Sequence, residues 1–130
     1  MPDEPPRGHY PYQAPIDAYG NGGFRFAGMS HKGSLLCLPT GMDAWRIETA
    51  AEITLMTLAP VLDLAGRIDV LFLGTGMEIA PLDPVIRAAF RERNVIVEAV
   101  PTRSAVSTYN ILLAEQRAVA AALIAVEKLR

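Results

Sequence analysis

The sequence predicts an α/β fold with a largely parallel sheet and a small antiparallel β layer in front of it. Three observations carry this. From Asp69 onward, strand and helix patterns alternate through Val126. The connections between them are short, which favours right-handed crossover units. Ahead of that region, glycines and prolines punctuate short apolar runs, as turns punctuate strands. At 130 residues, 51% of them apolar, the chain is about one domain with enough material for a core.

Prolines at positions 2, 5, 6, 11 and 15 dominate the start. Proline withholds a ladder donor, so residues 1–20 are expected to form a flexible or loosely docked arm, with the domain running from 21 to 130. Asn21-Gly22-Gly23 supplies the positive φ of a turn, and Phe24-Arg25-Phe26 alternates as a half-buried strand does. Gly28 is expected to bend that strand, and Ser30 to Gly33 to form the next turn. Ser34 to Leu38 then reads as a second strand, closed by Pro39, and Met42 to Ile47 as a third, with Trp45 beside its neighbours. These strands are expected to make one antiparallel layer. Phe24, Phe26 and Trp45 on an exposed face of it would give a surface for homo-oligomerisation.

Thr57 as N-cap, Pro60 in the first turn and Gly66 at the end predict a short helix from Leu58 to Ala65. Asp69 to Leu73 is a continuous apolar run, the mark of a strand covered on both faces. Leu82, Val85, Ile86, Ala89 and Phe90 form the stripe of an amphipathic helix, Leu82 to Arg93, with Asp83 at its start and Arg91 and Arg93 at its end. Val95 to Val100 reads as a strand, Ser104 to Gln116 as a helix capped by Ser104, and Arg117 to Val126 as the last strand.

Charge and cysteine usage narrow the function classes. A formal charge of −2 without a polybasic block suggests neither nucleic acid nor anionic lipid. Cys37, the single cysteine, excludes an internal disulfide and fits a cytoplasmic protein. No run reaches the roughly 18 apolar residues of a membrane span, and the start lacks the pattern of a secretory signal.

Gly74-Thr75-Gly76 directly follows the buried strand, where α/β sheets collect ligands and glycines let backbone approach a phosphate. Glu98, about twenty residues on, stands where a ribose-binding acid would. The match is partial: Ile79 occupies the third glycine position, and Pro81 and Pro84 delay the helix. A tight structural turn is the alternative. His9 and His31 pair with no serine or thiol, Cys37 lies within an apolar strand as a small buried hydrophobe, and no cluster has metal-ligand spacing, so no catalytic residue, metal or cofactor is assigned. Ser107, Thr108 and Asn110 are polar residues inside a helix, a local inconsistency. Thr108 and Asn110 either bond neighbouring strand ends, including the Gly74 to Gly76 loop, with Glu115 pairing Arg117 or another base, or else line a polar pocket.

The strand and loop in DVLFLGTG, followed by VEAVPTRSAVSTYNILLAEQRAVAAALI, resemble the family containing mitochondrial complex I assembly factor three, the adipogenesis-associated single-domain protein and many uncharacterised bacterial and archaeal proteins. The likeness runs from about Gly22 to Val126. It implies a three-layer α/β domain whose central sheet is mixed, mostly parallel, with the last strand running against the others. The family has no assigned reaction. Its recurring residues fall on Gly74, Thr75, Gly76, Thr108, Asn110, Glu115 and Arg117, and Tyr109 stands where the assembly factor usually has Phe. The expectation is a non-enzymatic interaction domain, bacterial and cytoplasmic, peripheral to the inner membrane, with respiratory complex subunits or another assembly factor as partner. The alternative is a small-molecule or nucleotide-binding enzyme using the Gly74 to Gly76 loop.

Overall fold

The structure is a computed structural model that describes residues 9–127. Its elements in chain order are β1 (His9–Tyr10), β2 (Ala18–Gly20), β3 (Gly23–Phe26), β4 (Met29–Lys32), β5 (Ser34–Leu38), β6 (Gly41–Trp45), α1 (Ala59–Leu62), β7 (Val70–Gly74), α2 (Pro84–Arg91), β8 (Ile96–Val100), α3 (Thr102–Ala114) and β9 (Val119–Leu123). Six strands form a mixed sheet in the order β1-β6-β5-β9-β7-β8, and β2, β3 and β4 form a separate antiparallel sheet.

The central strands alternate side chains between two cores. Leu36, Leu38, Leu71, Leu73, Ala120 and Ala122 face one side, where they meet Val61 of α1 and Ile86 and Phe90 of α2. Leu35, Cys37, Phe72, Val119, Ala121 and Leu123 face the other, where they meet Ala105, Val106 and Tyr109 of α3 together with Phe24 and Phe26 of the small sheet. That gives the three expected layers. Burying a side chain such as Phe90 or Leu71 contributes about 1.5–3 kcal/mol, so the two faces hold the layers together.

The last strand is a correction. It runs parallel to β7 and antiparallel to β5, and β7 is parallel to β8. A single crossover helix returns the chain to the end of the sheet where the preceding strand began, so β8 and β9 run parallel to each other with β7 between them. The reversed strands in the sheet are β5 and β1, since β5 opposes β6 and β6 opposes β1. β9 is also internal, inserted between β5 and β7.

The front layer is likewise divided. Ser34 to Leu38 is buried at every position, and only the central sheet offers cover on both faces. β5 and β6 therefore join that sheet, while β3 stays in the small one. Ser30 to Gly33 is mostly strand instead of turn, because Ala27 (φ 52°) and Gly28 (φ 76°) form the two-residue reversal between β3 and β4. Two consecutive positive φ values match the twist of a tight hairpin. Asn21 (φ 54°) and Gly22 (φ 78°) make the corresponding turn between β2 and β3, as expected. Phe24, Phe26 and Trp45 are all buried, which removes the surface on which self-association was argued.

Two helix starts differ from expectation. Thr57 does not cap α1; its hydroxyl lies in a turn with Thr54 and donates to the Glu52 carbonyl at 3.0 Å, and Leu58 holds the N-cap position. Pro101, not Ser104, precedes α3. Asp83 does cap α2, its carboxylate accepting from the Val85 amide at 3.0 Å.

The first eight residues of the expected arm lie outside the described residues. From His9 onward the segment is docked. β1 pairs with β6, β2 pairs with β3, and Ala14 and Ile16 are buried. Gly41 permits the first of these pairings. It has φ +137°, and a Cβ there would lie 2.1 Å from the Tyr10 carbonyl oxygen. Gly41→Ala should lower the unfolding free energy by more than about 1 kcal/mol, read from the urea midpoint; an unchanged midpoint would refute that close approach.

Candidate functional site

Three chain segments leave the same edge of the large sheet. β6, β7 and β9 share one direction, because β5 opposes both β6 and β9 while β7 is parallel to β9. Their carboxyl ends lead into residues 48–50, 75–80 and 124–127, which line a groove of about 610 Å³. This is where an α/β sheet presents ligand sites.

The Gly74 to Gly76 loop forms one wall, and its polar groups are engaged internally. The Thr75 amide donates to the Val100 carbonyl at 2.8 Å. Its hydroxyl reaches the carbonyls of Glu78 at 2.7 Å and Val100 at 3.2 Å. The Gly76 amide donates to Thr102 Oγ1 at 3.0 Å, and that hydroxyl donates to the Ile124 carbonyl at 2.8 Å. The Thr102 amide returns to the Gly76 carbonyl at 2.9 Å. Thr102, fully buried, thereby ties the ends of β7, β8 and β9 together. Gly74 lets it come close: a Cβ at 74 would sit 2.9 Å from Thr102 Oγ1 and 3.0 Å from its Cα. With the Thr75 and Gly76 amides already bonded, neither is free to cradle a phosphate.

Asn110 does not reach this loop. Its carboxamide faces the N-terminal segment instead, Oδ1 accepting from the Ile16 amide and Nδ2 donating to the Ile16 carbonyl, both at 2.8 Å. One residue earlier, the Tyr109 hydroxyl donates to the Ala14 carbonyl at 2.8 Å. Tyr109 thus anchors the same segment. Gln13 adds a bond from Nε2 to the Val119 carbonyl at 2.8 Å.

Thr108 is exposed and shares a separate polar hollow with Tyr19, Arg103, Ser104 and Ser107. Glu115 and Arg117 are exposed and make no ion pair with each other. Their backbones close α3: Gln116, at φ 62°, donates to Leu113, and the Arg117 amide donates to the Leu112 carbonyl at 3.0 Å. That is a Schellman closure with a side chain in the left-handed position. α2 ends the same way around Asn94, at φ 65°. The expected residues therefore fall into four places, namely the loop, the clamp on Ile16, the Thr108 hollow and the surface just past the C-terminal end of α3.

Cys37 is fully buried. Desolvation pushes its thiol far above the ordinary range, opposed in part by a hydrogen bond with Tyr109. Burial also raises the Tyr109 hydroxyl, with the neighbouring Cys37 adding to the effect. Both groups stay protonated and serve packing. Sequence reasoning missed Thr102; the one local signal was a Pro-Thr pair immediately after a strand.

Among the described residues no helix is long and apolar enough to cross a membrane. The chain is 39% identical over 110 residues to an uncharacterized protein of Rhodobacter capsulatus, covering 85% of this chain and 83% of that one. It is 35% identical over 109 residues to the Xenopus tropicalis protein named NADH dehydrogenase [ubiquinone] 1 alpha subcomplex assembly factor 3, covering 84% of this chain and 60% of the frog protein. A crystal structure titled as an outer membrane protein from Bartonella henselae superposes with a TM-score of 0.88 at 46% identity, over 92% of this chain and 100% of that one. The family model for proteins of unknown function DUF498/DUF598 matches residues 16–124, from the clamped Ile16 to the end of the groove-lining sheet, and the chain belongs to that family.

Proposed function

We propose that the chain is a non-enzymatic protein-interaction domain that assists assembly of respiratory complex I, acting from the cytoplasmic side at the inner membrane. Its partner in this reading is a complex I subunit or a second assembly factor. The observation that carries it is the similarity to a named complex I assembly factor, which extends over 84% of this chain. The internal bonding of Thr75, Gly76 and Asn110 supports it further: these polar residues hold the domain's own segments together and leave the surface loops to make contacts.

A nucleotide site at the Gly74 to Gly76 loop fits the chemistry poorly. Among the described residues, the groove beside it is lined by Glu48, Glu78 and Glu127 and by no basic side chain, and carboxylates repel phosphate.

Deleting the gene in its own organism should lower the amount of fully assembled NADH:quinone oxidoreductase, measured as enzyme activity and by native gel. A normal level of intact complex would refute the assembly role.

A further inference from the structure

Each of the three segments around the groove contributes one glutamate, Glu48, Glu78 and Glu127, and all three are exposed. Among the described residues no lysine, arginine or histidine lines the groove, so there the three carboxylates are a local surplus. Beside the carboxylates stand two exposed apolar side chains, Met77 at 38% and Ile79 at 67%. They belong to a stretch without regular structure, between the Thr75 hydroxyl bond and the start of α2. Methionine adapts its shape to what it meets, and isoleucine is stabilised when a partner takes it out of water.

Charge complementarity selects the occupant. Anionic ligands meet three like charges. A bare metal ion has no chelate, since no group of three His, Cys, Asp or Glu among the described residues could hold one. Carboxylates spread over three segments instead match cations spaced along a chain. We infer that the groove receives a basic segment of a partner protein, an extended stretch whose lysines or arginines meet Glu48, Glu78 and Glu127 while a large apolar side chain between them covers Met77 and Ile79. This rests on the interaction-domain reading and names the face and the partner chemistry. Exposed ion pairs orient and speed the encounter, and the apolar contact holds it.

The test is a titration of the isotope-labelled full chain with an unstructured peptide of about twelve residues built from Lys, Leu and Ser, followed by amide chemical shifts. The peptide length matches an extended segment at roughly 3.3 Å per residue. The expected result is perturbation centred on residues 48–50, 75–80 and 124–127. Binding should weaken several-fold between 50 and 300 mM salt, about the range over which screening tightens from roughly 14 to 6 Å. The isosteric triple variant Glu48→Gln, Glu78→Gln, Glu127→Gln should bind roughly tenfold more weakly, and Ile79→Ser should weaken binding without changing its salt dependence. Shifts centred elsewhere, equal binding of a peptide with every Lys replaced by Glu, or a triple variant that binds as the parent does would each overturn the inference. Normal complex I in the deletion strain, with peptide still mapping to the groove, would defeat the assembly role alone. Reduced complex I with no binding at this face would defeat the groove assignment alone.

Discussion

Thr102→Val should destabilise the domain by about 2–4 kcal/mol, with a fall of roughly 10 °C in melting temperature. Valine keeps the shape and removes the hydroxyl. The Gly76 amide then loses its acceptor and the Ile124 carbonyl loses its donor. Ile124 is buried, so its carbonyl has no ready replacement in water, and a stranded polar group costs more than its bond contributes. Thr102→Ser separates the hydroxyl from the methyl, and should retain most of the stability. A Val variant as stable as the parent would show that the three strand ends are held by packing alone. Hydrogen exchange adds a local readout, since the amides of Thr75 and Gly76 should lose protection before those of α2.

Asn110→Ala should release the segment from Gln13 to Asp17 while leaving the large sheet folded. Two hydrogen bonds to the Ile16 backbone vanish, a loss of about 1–3 kcal/mol. The expected signs are faster hydrogen exchange and new proteolytic cleavage confined to residues 9–20. Asn110→Asp tests the geometry: it preserves the acceptor for the Ile16 amide but sets a carboxylate oxygen against the Ile16 carbonyl, so it should be no better than alanine. Tyr109→Phe should loosen the same segment by removing the donor to Ala14. Protection of residues 9–20 unchanged in Asn110→Ala would mean that burial of Ala14 and Ile16 suffices to dock them.

The repeating part of the fold was legible because burial imposes a period on the sequence. Asp69 to Leu73 and Val95 to Val100 read as strands, and Leu82 to Arg93 as a helix, from apolar spacing, and β7, β8 and α2 lie there. Asn21-Gly22 was legible as a turn because few residues accept its backbone angles. The arm misled for a complementary reason. Prolines speak against ladder pairing, but say nothing of a segment whose backbone is bonded by side chains from a helix far along the chain, as Ile16 is by Asn110. The Gly-Thr-Gly loop shows the same limit. Glycine marks a close approach of backbone, and whether a phosphate or Thr102 makes that approach depends on a residue 28 positions from Gly74.

The sequence by itself determined the α/β class, the amphipathic face of α2, the double-sided burial of β7 and the position of the Asn21-Gly22 turn, since each follows from local spacing or from a backbone angle. Only the tertiary structure decided that β5 and β9 pair with each other, that β9 runs with β7, that Asn110 serves the N-terminal segment, and that Glu48, Glu78 and Glu127 share one groove. Strand pairing and side-chain meeting are contacts between distant positions, and local periodicity carries no information about which of several equally apolar strands will become neighbours.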